Sequence, residues 1–292
     1  VIELKDHSFV CVGKSISTST GSDSIILKFS AAGKLLWKKN IASIGDEGIA
    51  SIIALEDGNF AAAGHIYNAS STASDMLVMK IDSNGNIIWK KTIDGDHKED
   101  KATGIVETQN GDLIVSGYTN YYVTNKFDGW LLSLNPIDGT INWNKLIGDY
   151  NDEKLFAIKK TPSGIIATGY SASNTAGLSD ILLVKVSNSG DLQWQKTYGT
   201  PFDESATNLA IDTDGVIYIT GKRRLAYNNT SGLLLKFDSS GNNIYDRVIS
   251  SSSSAAYIHD ELHGITIADT IILTGFGNSN EFSFNHWIIS LQ

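Results

Sequence analysis

The chain has one cysteine, Cys11, in 292 residues, so it holds no intrachain disulfide framework and no cysteine-based zinc cluster. It has no apolar run long enough for a transmembrane helix, so no direct membrane insertion is expected. No basic segment followed by an apolar stretch opens it, so a signal peptide is expected to have been removed or never included. Basic residues are in deficit: 23 Lys and Arg face 32 Asp and Glu, a net charge of −9, which argues against nucleic acid or an anionic membrane as partner. No window carries a capped helical period, and no Gly-x-Ser-x-Gly, phosphate-binding loop or Cys/His arrangement occurs. The 41% hydrophobic content is nevertheless ample for a folded core.

What is present is a repeat. A glycine closing an apolar run recurs at Gly13, Gly64, Gly117, Gly169, Gly221 and Gly275, at intervals of 51, 53, 52, 52 and 54 residues. An aromatic recurs at Trp37, Trp89, Trp143, Trp194 and Tyr245, at intervals of 52, 54, 51 and 51. Two markers with one period define six units, at about 1–41, 42–93, 94–147, 148–198, 199–249 and 250–292.

Each unit holds four short runs rich in Ile, Val, Leu and aromatics, as in Ile49–Glu56, Asn59–Gly64, Met76–Asp82 and Asn86–Ile93. Small polar residues followed by Gly join the first run to the second (Asp57-Gly58, Asn110-Gly111, Ser163-Gly164, Asp214-Gly215) and the third to the fourth (Asn84-Gly85, Asp138-Gly139, Ser189-Gly190, Ser240-Gly241). These are hairpin turns that need positive φ. The other two connections are longer, at roughly ten residues each. The pattern predicts an all-β fold, a six-bladed β-propeller of four-stranded antiparallel blades in one domain over residues 1–292. Only 23 strand runs are found: the last unit stops after its third run, His286–Gln292. The missing fourth strand is expected to be the outermost, leaving an edge at blade six that would accept a strand from a partner.

The stretch from Asp75 to Thr119 resembles repeats of bacterial and archaeal secreted or surface propellers of the SBBP type, through Asp75, Lys80, Asp82, Gly85, Trp89, Lys91 and Gly117. Its Gly-x-x-x-Trp piece also resembles quinoprotein-dehydrogenase-like repeats, including those of the outer-membrane assembly lipoprotein. The resemblance covers the whole chain and implies a propeller in an extracytoplasmic location: secreted, periplasmic or cell-surface. No quinoprotein cofactor or calcium ligand set is matched, so that chemistry is not carried over, and no cofactor is expected beyond a possible calcium ion.

The most regular polar feature is an acidic pair before the first strand of five blades: Asp46-Glu47, Glu99-Asp100, Asp152-Glu153, Asp203-Glu204 and Asp260-Glu261. Asp46, Asp100, Asp152, Asp203 and Asp260 are candidate cation ligands, since hard divalent ions favour carboxylate oxygens. Recurrence in five blades favours a structural role, with one acid of each pair accepting loop amides. Asp23, Asp75, Asp128 and Asp180 precede the third strand and read as turn anchors, and the repeated Trp residues read as wedges between blades. His259-Asp-Glu-Leu-His263 is not the helical zinc motif, because Asp260 stands where Glu is required and the segment runs into a strand.

The long connection from second to third strand breaks the symmetry. It carries Tyr118, Tyr121, Tyr122, Phe127 and Trp130 in blade three, Lys222, Arg223, Arg224 and Tyr227 in blade five, and Phe276, Phe282 and Phe284 in blade six. Tyr, Trp and Arg dominate protein interfaces, and aromatics beside polar groups suit carbohydrate. Partner-binding residues are therefore expected at Tyr121, Tyr122, Phe127, Arg223, Arg224, Tyr227, Phe282 and Phe284. The expected function is non-catalytic recognition or scaffolding of a protein or glycan partner through this loop face. The alternatives are a glycan-active enzyme using the recurring carboxylates as acid and base, and a subunit of a larger envelope assembly.

Overall fold

The structure is a computed structural model that describes all residues except 18–20, 42–45, 70–71, 96–98, 122–125, 174, 227–228, 251–257, 278–284 and 292. Among the described residues there is no helix, and the strands form six antiparallel sheets that make a six-bladed β-propeller fold. Blade one comprises β1 (Ile2–Glu3), β2 (Phe9–Ser17), β3 (Gly21–Phe29) and β4 (Leu35–Ile41). Blade two comprises β5 (Glu47–Ala54), β6 (Phe60–Asn68), β7 (Ala73–Ile81) and β8 (Ile87–Ile93). Blade three comprises β9 (Asp100–Glu107), β10 (Leu113–Tyr121), β11 (Lys126–Leu134) and β12 (Ile141–Ile147). Blade four comprises β13 (Glu153–Thr161), β14 (Gly164–Ser171), β15 (Asp180–Ser187) and β16 (Leu192–Tyr198). Blade five comprises β17 (Asp203–Ile211), β18 (Ile217–Ala226), β19 (Asn229–Phe237) and β20 (Asn243–Ile249), with the two-residue β21 (Ile258–His259) pairing parallel to β19. Blade six has three strands, β22 (Glu261–Ile267), β23 (Ile271–Gly277) and β24 (Asn285–Leu291), as the strand count anticipates. The chain divides into two compact units, Val1–Ile147 and Gly148–Gln292, each holding three blades.

Strand order within a blade follows the sequence, and burial follows strand order. The middle strands β6 and β7 are buried on both faces, which is why they read as continuous apolar runs. The outer strand β8 alternates, with Trp89 turned inward and Ile88 outward. Within each unit neighbouring blades share their cores: Ala63, Met76 and Val78 of blade two pack with Ala102, Val115 and Leu132 of blade three. Met76, Val78, Val115 and Leu132 each contribute roughly 1.5–3 kcal/mol of burial.

The two repeat markers have separate physical causes. A β-bulge in the inner strand faces the closing glycine in blades two to six and drives a carbonyl against its Cα. A Cβ at Gly64, Gly117 or Gly169 would lie 1.8, 2.0 or 1.8 Å from the carbonyl oxygens of Gly48, Lys101 and Lys154. The short β1 does not reach Gly13, and nothing lies within 4 Å of that position. The tryptophan, as expected, is an inter-blade wedge. Trp37 Nε1 donates to the Ser83 carbonyl (3.2 Å) and Trp89 Nε1 to the Pro136 carbonyl (3.1 Å), each in the last turn of the next blade. The rings lie on Gly85 and Gly139 of those turns, and Trp194 lies likewise on Gly241. Two residues further on, Lys39 and Lys196 reach the side chains of Asn86 and Asn242, which completes the role of the Trp-x-Lys piece.

The hairpin turns form where Gly was expected: Gly58, Gly85, Gly111, Gly139, Gly190, Gly215 and Gly241 take φ between 70 and 88°. The longer connection from second to third strand departs from expectation. In blades two, three and five the second strand runs on past the closing glycine to Asn68, Tyr121 and Ala226, and the third begins early. Most of what reads as loop is an extended hairpin, because Cα pairing continues to Asn68↔Ala73, Tyr121↔Lys126 and Ala226↔Asn229.

Candidate functional site

The second member of four acidic pairs and the first member of the fifth occupy one repeated position at the start of the inner strand. Glu47, Asp100, Glu153, Glu204 and Asp260 are all buried there. The reason is local: the carboxylate turns back to accept the amides of the connection before it. Glu153 accepts the Asp149 amide (3.0 Å) and the Ser171 hydroxyl (2.7 Å). Glu204 accepts the Thr200 amide (3.2 Å) and hydroxyl. Asp100 accepts the Gly95 amide (2.6 Å). A buried carboxylate holding two donors is a structural acceptor. The recurring position therefore cuts across residue type: of the five aspartates picked out by sequence, Asp100 and Asp260 occupy it, while Asp46 is exposed and Asp152 and Asp203 are half-buried. Asp46 has its own role, accepting the Ser22 amide of blade one at 3.0 Å.

On the strand beside each of these acids, two residues past the closing glycine, the repeat diverges. The register sets Glu47 against Ile66, Asp100 against Thr119, Glu153 against Ser171 and Glu204 against Arg223. In blade five the guanidinium is the partner: Arg223 Nε donates to Glu204 Oε1 (2.8 Å) and Nη1 to Asp246 Oδ2 (3.1 Å). Arg223 is 7% exposed, so it is spent inside the blade rather than offered to a partner. Strand alternation sends its neighbours the other way. Arg224, with nearly half its side chain exposed, pairs with Asp203 (3.1 Å), and Lys222 pairs with Glu261 of blade six (3.2 Å).

These outward residues line a cleft of about 490 Å³ at the junction of blades five and six. Arg224, Lys222, Asp203 and Glu261 form its charged wall, Phe276 its apolar face, and Thr230 and His259 another side, joined through Thr230 Oγ1 and His259 Nδ1 at 3.2 Å. β21 closes this side by pairing with the start of β19, where the Asp260 amide donates to the Thr230 carbonyl (2.9 Å). His263 leaves the motif that placed it near His259 and stacks on Phe276, with centroids 5.0 Å apart. The cleft thus presents a guanidinium fork, an ammonium, two carboxylates and an aromatic ring on a base held by the buried Arg223–Glu204 ion pair, which Asp246 extends to the surface. It can bind a polar group by paired hydrogen bonds and stack an apolar one.

Of the partner-binding residues expected from sequence, Arg224 lines this cleft and Arg223 lies beneath it. Phe127 is half-buried on blade three, edge-on to Tyr118 at 5.4 Å, and Trp130 is in the core, so these rings fold back over their own sheet. Tyr121 ends β10. Tyr122, Tyr227, Phe282 and Phe284 lie outside the described residues. Thr230 and His259 carry no repeat signal, and only the register of β21 on β19 brings them to the cleft.

The family model described as outer membrane protein assembly factor BamB matches residues 22–275, and the chain belongs to that family. No curated protein sequence matches it. Among solved structures it is similar to a protein of unknown function from Dyadobacter fermentans, at 11% identity and a TM-score of 0.62, covering 99% of this chain and 93% of that one. It is also similar to the periplasmic gluconolactonase PpgL of Pseudomonas aeruginosa (10% identity, TM-score 0.52, 99% and 83% coverage). A third likeness is to a puromycin hydrolase (13%, 0.53), where the chain covers 94% of itself and 41% of that protein. These likenesses establish the propeller fold.

Proposed function

We propose that the protein is a non-catalytic recognition or scaffold propeller of the cell envelope that holds a segment of a partner protein in the cleft between blades five and six. The observation that carries this reading is the set of half-exposed ion pairs, Arg224–Asp203 and Lys222–Glu261, arrayed around Phe276 on a buried ionic base. Exposed pairs contribute little to folding, so their charge is available to exchange partners. Arg beside an aromatic ring is the composition of binding hot spots. Membership of a family described as an outer membrane assembly factor supports a protein as partner and an extracytoplasmic location. Among the described residues no helix is long and apolar enough to cross a membrane.

The geometry does not favour the glycan-cleaving alternative. Glu204 at the cleft is held by Arg223 and Thr200, and Asp203 and Glu261 are each engaged by a cation, Arg224 and Lys222, rather than set facing one another as acid and base. The open edge of β24, where Ile288 is 81% exposed, is a second surface at which a partner strand would add to the blade.

The test is a pull-down from native envelope extract with wild-type protein and an Arg224→Ala/Phe276→Ala variant. Loss of a wild-type partner from the variant is expected. The same partners on both would contradict the reading.

A further inference from the structure

Blade two places a third carboxylate where the other blades have none. The connection from Trp89 to Asp100 is 11 residues, against 10 from Trp37 to Glu47, Trp143 to Glu153 and Trp194 to Glu204. Directly after the outer strand, blades three and four carry Gly148 and Gly199, while blade two carries Asp94. Asp75 of β7, Asp94 and Asp100 of β9 thereby bring one carboxylate oxygen each within 4.8 Å of one another. Among the described residues this is the one such group of three.

The buried groups around it point inward. Asp100 is fully buried, and its Oδ1 has no hydrogen-bond partner of normal geometry. Neither has Thr119 Oγ1, from a residue 2% exposed that lies beside Asp100 on β10. Both oxygens face one point: a Cβ on Gly95 would lie 2.6 Å from Thr119 Oγ1 and 3.0 Å from Asp100 Oδ1. Burial, with repulsion from Asp94 and Asp75, pushes the Asp100 carboxyl up to about 6, although the nearby Thr119 hydroxyl and the Gly95 amide favour its charged form.

The repeat supplies its own comparison. At the same position Glu204 has the Arg223 guanidinium and Glu153 the Ser171 hydroxyl as donors. Asp100 has Thr119 beside it, with no hydrogen bond of normal geometry from the hydroxyl to Asp100 Oδ1. An oxygen-rich, anionic, partly buried pocket is the chemistry of a hard divalent ion. We propose that Asp75, Asp94 and Asp100, with the Thr119 hydroxyl, hold a calcium-type cation that clasps the third strand of blade two to the inner strand of blade three. This site is independent of the cleft between blades five and six.

The experiment is calorimetric titration of calcium chloride into chelator-treated, full-length protein, with Asp94→Asn and the exposed Glu56→Gln as variants. Wild type and Glu56→Gln are expected to show one saturable site, with Kd in the roughly 10⁻⁴ to 10⁻³ M range of extracellular calcium modules. Asp94→Asn is expected to weaken binding at least about tenfold. Thermal unfolding gives a second readout: calcium raises the midpoint of the wild type but not of Asp94→Asn. In chelator Asp94→Asn is at least as stable as wild type, because it removes a repelling charge. No saturable binding in the wild type, equal binding by Asp94→Asn, or an Asp94→Asn protein that is less stable in chelator would overturn the proposal.

Discussion

The Cα of Gly117 faces the carbonyl oxygen of Lys101 so closely that a Cβ there would lie 2.0 Å from it. The bulge at Thr103 of β9, opposite Ser116 and Gly117, creates that approach, and the same contact recurs at Gly64, Gly169, Gly221 and Gly275. The glycine period is therefore a record of a repeated bulge, and steric exclusion rather than turn formation maintains it.

Gly117→Ala is expected to destabilise the protein by at least about 3 kcal/mol, since backbone and not a movable side chain stands in the way. Gly13→Ala, with nothing within 4 Å, is expected to change stability by less than about 1 kcal/mol. Urea unfolding of the two variants checks this; equal losses would refute the steric account.

The buried Arg223–Glu204 ion pair of blade five predicts a second contrast. Arg223→Met leaves Glu204 buried without its cation and is expected to cost about 3–5 kcal/mol. Arg224→Met, at a half-exposed pair, is expected to cost less than about 1 kcal/mol. Equilibrium unfolding would refute the inside–outside assignment if Arg224→Met were the more damaging.

His65 gives a pH dependence with a defined sign. Burial, then the positive charges of Lys101 and Lys14, lower its pKa to about 4, and its ring lies against Gly48. Between about 6.5 and 4 the unfolded chain takes up a proton that the folded protein refuses, so this group's contribution is lost as pH falls through that window, at on the order of 1 kcal/mol per pH unit. His65→Gln is expected to flatten the stability profile between pH 6.5 and 4 when compared with wild type. An unchanged slope would show that His65 does not titrate in this way.

Much of this fold is legible in the sequence, for identifiable reasons. Gly117 and Trp89 are dictated by contacts that leave no substitute, so they recur with the blade period. Asp57-Gly58 and Asn84-Gly85 are dictated by positive φ. The length of the hairpins is not legible, because Tyr118, Arg223 and Arg224 alternate in and out without the apolar signature of a buried strand. Arg223 and Arg224 look equivalent in sequence, and only the register, Glu204 opposite Arg223, separates the buried cation from the one at the cleft. The buried member of each acidic pair is hidden for a related reason: position and not residue type defines it, and Asp260-Glu261 inverts the order seen in Asp203-Glu204. The grouping of Asp94 with Asp75 and Asp100 depends on one extra residue after Trp89. Counting finds that residue, but only the fold gives it meaning.

The most direct test of the recognition account is site-specific photocrosslinking in native envelope, with the crosslinking side chain placed at Lys222 in the cleft or at Lys160 near the far end of β13. The account predicts a discrete protein adduct from position 222 that disappears when Phe276→Ala is added, and none from position 160. An adduct from position 160 alone, or one at 222 that is indifferent to Phe276, would contradict it.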